Sequence, residues 1–245
     1  DIVVGPETSL KGNIYNSTGS YWTELAATSS AAANVLTITS GISGSFMPTN
    51  GTYDITGRID VPTYYQSVAT GSWSTASNWE IADNLSFTGA IVASTPPNNL
   101  NNAGIFIRSG SPITVSSTVT ADQVTVDASA VLTVGAGTLT IANGTGTDLT
   151  VTGTLQTNSA SANLIINAGA TAQVDGLFKE TTAVPAAVTA TGTITIGAAA
   201  TYEHNVNAGT IPTCTWTTGS TCLLTGITGN APGGLGQSFS NFTVN

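Results

Sequence analysis

The side chains of this sequence that could carry acid–base or metal chemistry are a few scattered carboxylates and one histidine. Glycoside hydrolysis uses a pair of carboxyl groups as acid and base, and Ca²⁺ is bound by clustered carboxylate and carbonyl oxygens. Asp122 and Asp148 each precede a short apolar run, and Asp127 and Asp175 each follow one. No dense ligand pattern surrounds them. Asp readily hydrogen-bonds its own backbone in turns. We therefore expect these four aspartates to be corner residues, and we predict neither a catalytic pair nor a metal site.

His204 is the only histidine of the chain, and it stands beside Glu203. A histidine next to a carboxylate can act as a general base, but covalent catalysis also needs an activated Ser or Cys nucleophile. No nucleophile motif accompanies His204. We therefore expect a corner or core histidine, no catalytic residues and no cofactor.

Cys214 and Cys222 flank a stretch rich in Thr and Gly. A three-residue loop at 217–219 would place the two cysteines opposite each other in a hairpin. Secretion permits a disulfide, and the even number of cysteines suits one. The alternative is a pair of small buried thiols inside the fold, and the sequence leaves both open.

The elements that must position these residues are short alternating runs between Gln123 and Val174. Runs at 124–126, 132–134 and 139–141 are followed, at a nearly constant offset, by runs that begin at 149, 155 and 164. Each run alternates with the period of a strand, so its apolar residues share one face and its Thr residues the other. Turn-forming Gly, Asn and Asp lie between the runs.

Strands this short are not stable alone, but three of them complete one coil of a parallel β-solenoid. An antiparallel sandwich would not repeat three successive strands at one offset. The sequence therefore predicts an all-β fold, a parallel β-solenoid (β-helix) with coils of about 24 residues. Residues 113–204 should form coils whose inward positions include Val124, Leu132, Leu139, Leu149, Leu155 and Leu164.

The N-terminal segment 1–61 does not show this period. Residues 35–39 and 53–56 resemble strands, and residues 26–33 suggest a short helix or a loop. Because an open solenoid end needs a cover, we predict a β-rich N-terminal cap or module at 1–61 and a β-helix domain at 62–245.

The composition excludes several partners. The 245 residues include 4 basic and 13 acidic ones, for a net charge of −9. Phosphate backbones and anionic membrane surfaces both attract Lys and Arg, so neither is expected to bind. Charged residues make up only 7%, against roughly 25% in ordinary soluble domains, which is typical of secreted bacterial surface and fibre proteins. No apolar run approaches the roughly 20 residues of a membrane-spanning helix.

Two aromatic blocks carry a resemblance to a known group of proteins. The first comprises Tyr64-Tyr65, Gly71-Ser72-Trp73 and Ser77-Asn78-Trp79. The second comprises segments 202–205, 209–212, 214–216, 219–222 and 232–235, then Phe239 and Asn241-Phe242. Over residues 62–245 the chain resembles secreted cell-surface proteins of Bacteroidota with Gly/Thr/Val-rich β-helical coils. The resemblance implies type IX export and an extracellular or cell-surface location, and it brings no catalytic residues with it.

Trp73 and Trp79 have two interpretations. Exposed indoles can stack on sugars, which would make surface glycans partners. Because the two lie close together where the solenoid begins, we predict that they plug its end. Outward Thr125, Thr133 and Thr140 raise an ice-binding alternative, but they fall on successive strands and hence on different faces.

The C-terminal segment 238–244 still alternates like a strand, and no Lys-rich or Pro-containing terminator follows it. Unprotected solenoid ends pair with other edges, so we predict head-to-tail self-association through Phe239, Phe242 and Val244. The sequence thus favours a structural protein without catalysis, either a subunit of a surface filament or an adhesin stalk. A carbohydrate-binding or carbohydrate-cleaving β-helix and an ice-binding solenoid are the alternatives.

Overall fold

The computed structural model describes residues 10–16, 21–30, 35–40, 55–59, 63–181 and 187–245. The chain divides into two compact units, Asp1–Val61 and Pro62–Asn245. The strands described in the first unit are β1 (Leu10–Asn16), β2 (Tyr21–Ser30), β3 (Val35–Ser40) and β4 (Ile55–Ile59). They form one antiparallel sheet in the order β3-β2-β1-β4.

One expectation for this first sheet is wrong. Residues 26–30, which suggested a short helix or a loop, belong to β2, because each of them pairs with a residue of β3. The remainder of that stretch, 31–33, lies outside the described residues. The predicted strand at 35–39 is β3, whereas the strand predicted at 53–56 corresponds to β4, which begins at Ile55.

The second unit is a parallel β-solenoid of about six turns with coils of about 23 residues. Its strands are β5 (Tyr64–Ser67), β6 (Gly71–Ser72), β7 (Trp79–Ala82), β8 (Ile91–Val92), β9 (Gly104–Ile107), β10 (Ile113–Val115), β11 (Val119–Ala121), β12 (Val124–Val126), β13 (Val131–Val134), β14 (Thr138–Ile141), β15 (Leu149–Val151), β16 (Thr154–Thr157), β17 (Asn163–Ile166), β18 (Thr171–Val174), β19 (Leu177–Glu180), β20 (Ala187–Ala190), β21 (Thr193–Ile196), β22 (Thr201–His204), β23 (Thr215–Trp216), β24 (Thr221–Leu224) and β25 (Asn241–Val244).

These strands form three sheets, which the chain visits in turn. Sheet I has the order β8-β7-β5-β9-β12-β15-β18-β21-β23, sheet II the order β6-β10-β13-β16-β19-β22-β24-β25, and sheet III the order β11-β14-β17-β20. All pairs are parallel except β5–β7 and β7–β8, which are antiparallel and end sheet I. In the part of the chain that the structure describes, no helix has the length and apolarity needed to cross a bilayer.

The predicted fold and register are confirmed. Val124 pairs with Leu149, Leu132 with Leu155, and Leu139 with Leu164, each in a parallel ladder. All six side chains point inward and are at most 1% exposed. The coil length is less regular than expected, because the coil from Ile113 to Leu132 and the coil from Tyr202 to Cys222 are both shorter than the coils between them.

The outward threonines differ from one another. Thr125 and Thr140 are partly exposed, as expected for outward positions. Thr133 is buried, because the Gln156 side chain of the next coil lies over it and its Nε2 donates to the Thr133 hydroxyl at 2.9 Å. Polar side chains stacked between coils therefore bury some of the outer face as well.

The corners are joined by two recurring devices. A threonine directly after a strand donates its hydroxyl to a carbonyl of the coil below, as Thr152 does to Val126 at 2.9 Å and Thr181 to Thr157 at 2.7 Å. A corner glycine then lies against backbone oxygens of the preceding coil: a Cβ on Gly176 would collide with the carbonyls of Thr152 and Gly153. The coils can therefore stack closely at these corners only because no side chain stands there.

Leu149→Asp and Thr150→Asp test the inward and outward assignment on one strand. Leu149 is fully buried, whereas Thr150 is partly exposed on the outer face. We expect Leu149→Asp to lower the free energy of unfolding by about 3–5 kcal/mol, because an unpaired charge is forced into the core. Thr150→Asp should cost less than about 1 kcal/mol. Thermal unfolding measures both, and equal losses in melting temperature would contradict the assignment.

Candidate functional site

The structure brings Asp127 and Asp175 into one corner column but gives each a local partner. Their strands pair through Val126, Val151 and Val174, so Thr152 lies between the two aspartates. The Asp127 carboxylate accepts from Arg108 Nη1 at 2.8 Å, and Asp175 accepts from Gln173 Nε2 at 2.6 Å. Neither carboxylate faces the other across a cleft, as a hydrolytic pair would.

Asp122 and Asp148 do not occupy equivalent positions. The pairing of Val124 with Leu149 places Gln123, not Asp122, opposite Asp148. Asp148 is fully buried, and its oxygens accept hydrogen bonds from the Gly144 amide at 2.5 Å and the Thr171 amide at 2.7 Å. It therefore closes a corner. Among the described residues, no group of three or more His, Cys, Asp or Glu side chains is arranged to hold a metal ion.

Trp73 and Trp79 lie in the first coil with no face open to solvent. They are 1% and 0% exposed, and their rings meet edge to face at 5.0 Å. The Trp73 indole donates to the Pro97 carbonyl and the Trp79 indole to the Trp73 carbonyl, both at 2.9 Å. In this arrangement neither ring can stack on a sugar.

The hairpin proposed for Cys214 and Cys222 is wrong. The strand that follows Cys214 is β23 of sheet I, whereas Cys222 lies in β24 of sheet II, and both strands pair in parallel with the coil below. Both cysteines are free thiols. Burial raises the pKa of Cys222 to about 12, and burial together with the neighbouring Cys222 raises the pKa of Cys214 to about 12.

His204 is a core histidine, one of the two positions that the sequence suggested. The imidazole is fully buried, and its Nδ1 lies 3.1 Å from Oε2 of Glu180, which is fully buried as well. Glu203, the sequence neighbour, faces outward and forms an ion pair with Lys179 at 2.9 Å. Sequence reasoning missed Glu180, although the register offers a signal: Val134, Thr157, Glu180 and His204 recur once per coil on one inward column.

The C-terminal coil leaves several apolar side chains open to solvent. Leu235, Phe242 and Val244 are 41%, 44% and 60% exposed. The Phe239 ring packs edge to face against Trp216, with centroids 4.8 Å apart, and lies tilted against the Phe242 ring at 5.2 Å. Leu235, Phe239 and Phe242 line an apolar cavity of about 180 Å³. All three residues predicted to mediate assembly thus lie at this end.

No protein-family model, no curated protein and no solved structure matches the chain. The class of the protein therefore follows from the fold, which is a parallel β-solenoid. Among the described residues, its exposed large apolar side chains lie towards both ends of the solenoid, within 68–100 and 235–244.

The state of the two cysteines can be read by thiol titration. Because both thiols are largely buried and have raised pKa values, we expect native protein at pH 8 to react only slowly with DTNB. Denaturant without reductant should release two reactive thiols per chain, and Cys214→Ser should release one. Failure of the denatured wild-type chain to react would show that the cysteines are joined in a disulfide.

Proposed function

We propose that this chain is a structural protein of the extracellular space or the cell surface, without catalytic activity, which assembles head-to-tail with further copies of itself. A filament subunit or a stalk that carries an adhesive domain both fit this role. The observation that carries the proposal is the exposure of inward-facing core positions in the last coil.

Phe242 and Val244 occupy core positions of the C-terminal coil and are exposed among the described residues. In the β24–β25 ladder they pair with Cys222 and Leu224, which point inward and are 0% and 4% exposed. Phe242 and Val244 continue these two columns in the next coil, and they are 44% and 60% exposed. Covering such side chains is favourable by about 25 cal/mol for each Å² of apolar surface. Binding of another coil to this end of the solenoid is therefore favourable.

The backbone of β25 likewise favours binding of a further coil. β25 is the last strand of sheet II and pairs with β24 alone. One row of its N–H and C=O groups is therefore unpaired among the described residues, and an edge strand of this kind is a template for another strand. A coil of the same period meets both requirements, because it supplies a strand edge and an apolar interior together.

A second copy of the chain offers strand edges at the other end of the solenoid, where β6 is the last strand of sheet II, the sheet of β25. β8 is the last strand of sheet I there, and Ile91 and Val92 are 63% and 61% exposed. Charge is sparse at both ends, because residues 205–245 contain no Asp, Glu, Lys or Arg and residues 62–107 contain only Glu80 and Asp83. Contact between two different ends is heterologous and does not close on itself, so it builds filaments.

The location outside the cell rests on composition and on resemblance. Charged residues are 7% of the chain, and the aromatic blocks resemble those of Bacteroidota surface proteins exported by the type IX route. The carbohydrate alternatives have less support, because both indoles are buried and the aspartates have local partners. The ice-binding alternative is weakened by Ile165, which interrupts the outward column between Thr140 and Thr189.

Matched substitutions on β25 test the assembly. The double variant Phe242→Asp/Val244→Asp places charge on the open core, whereas Thr243→Asp places the same kind of charge on the outward face of the same strand. We expect wild type and Thr243→Asp to form filaments by electron microscopy and light scattering, and the double variant to stay monomeric. A wild-type chain that remains monomeric at high concentration, or a double variant that still polymerises, would refute the assembly.

Mixing two blocked variants distinguishes head-to-tail contact from other contacts. Ile91→Asp should block the opposite end and also leave monomers. Because each variant keeps one intact end, a mixture of Ile91→Asp with the double variant should give discrete heterodimers that grow no further. Homodimers of either variant alone would indicate a contact between like ends.

The absence of catalysis is tested on polysaccharides. We expect no release of reducing sugars or unsaturated uronates above blank, because Asp127 and Asp175 each have a local partner and His204 is buried. Release that is abolished by Asp127→Asn, Asp175→Asn or His204→Ala would establish a carbohydrate-active enzyme instead.

A further inference from the structure

One inward column of sheet II contains a polar cluster that a structural role alone does not require. Its successive members are Val134, Thr157, Glu180, His204 and Leu224, each paired with the next across one coil. The three polar members are all 0% exposed. Burying a carboxyl and an imidazole is costly unless they satisfy each other, so the contact between these two groups bears on the stability of the coils.

The hydrogen bonds of His204 fix one of its two ring protons. Nε2 lies 2.7 Å from the carbonyl oxygen of Ala208, and because a carbonyl only accepts, Nε2 must carry a hydrogen. Nδ1 lies 3.1 Å from Glu180 Oε2 and 3.2 Å from the Tyr202 hydroxyl. A second ring proton, on Nδ1, would point at the carboxylate.

We infer that Glu180 and His204 form a buried carboxylate–imidazolium pair that joins β19 to β22, and that loss of its Nδ1 proton weakens the C-terminal coils as the pH rises. Without that proton, the lone pair of Nδ1 faces a buried carboxylate, and the Tyr202 hydroxyl, which contacts both Nδ1 and Glu180, has only one hydrogen to donate to either of them. Neither oxygen of Glu180 has a hydrogen-bond partner of good geometry among the described residues. The charge of the imidazolium, with Nδ1 3.1 Å from Oε2, is therefore what favours the burial of this carboxylate.

The other titratable groups around the pair do not supply a competing charge. On the strand of His204 itself, Tyr202 is buried, and burial and the charge of Glu180 hold its pKa well above 10. Cys214, which precedes β23, and Cys222, on β24, lie near Tyr202 and have pKa values raised to about 12. From β16, the neutral Thr157 stacks on Glu180. Lys179 and Glu203 face outward and pair with each other.

The direction of the pH dependence follows from these contacts. Burial acts to lower the pKa of His204, but the hydrogen bonds to Glu180 and to the Ala208 carbonyl, together with the charge of Glu180, outweigh it and raise the pKa above 6.5. A group whose pKa is raised by folding stabilises the fold fully below its unfolded value. The stability from His204 is therefore complete below a pH of about 6.5 and is lost as the pH rises through the folded pKa.

Nuclear magnetic resonance of the full chain tests the pair directly, since His204 is the only histidine. Long-range ¹H–¹⁵N spectra should show Nε2 protonated at every pH, and Nδ1 still protonated at pH values where a free imidazole has lost its second proton. A ring that is neutral at pH 6 would overturn the inference, as would a ring protonated on Nδ1 alone at high pH.

Stability against pH supplies the second measurement. The unfolding equilibrium constant should rise between a pH of about 6.5 and the folded pKa, by at most about tenfold per pH unit for one proton. Glu180→Gln should abolish that rise, because the neutral amide can donate to a neutral Nδ1. Glu203→Gln, one residue from the histidine but on the outer face, should retain it. An unchanged slope in Glu180→Gln would overturn the inference, and if that variant does not fold, the wild-type spectra decide alone.

Discussion

The pairing of each strand with its equivalent one coil away is the interaction on which the rest of this structure depends. It satisfies the backbone of very short strands and aligns every side chain with a counterpart in the next coil. The role of a residue therefore depends on its column, the set of equivalent positions in successive coils. An apolar column such as Val124–Leu149–Ala172 builds the core, whereas the column through Thr157, Glu180 and His204 places polar groups inside it.

The same constraint governs the corners. Stacking at the strand spacing of about 4.8 Å leaves no room for a Cβ at Gly176, and it leaves carbonyl groups that a neighbouring hydroxyl can reach, as Thr152 and Thr181 do. The abundance of Thr and Gly in this chain is thus a consequence of the coil geometry as well as of the surface. It also explains why aspartates at corners, such as Asp148, serve backbone amides instead of a ligand.

The central coils could be predicted from sequence because both of their signals are local and repeated. Leu149 follows Val124 by one coil, and each lies in a run that alternates, so fold, register and inward face followed together. Glu180 and His204 were missed as a pair because a charged residue is normally assigned to the surface, and only the register of two coils places them together. The cysteine hairpin failed for a related reason: it treated residues 214–222 as a local turn, whereas each flanking strand pairs with the coil below.

The scarcity of charge bears on the environments in which the protein can work. Surface ion pairs weaken as ionic strength rises, because mobile ions screen them within about 8 Å at physiological salt. Residues 205–245 contain no charged residue, and cohesion within this segment relies instead on backbone pairing, apolar contacts and neutral hydrogen bonds such as those of Gln237. A change in ionic strength should therefore have little effect on the cohesion of these last coils.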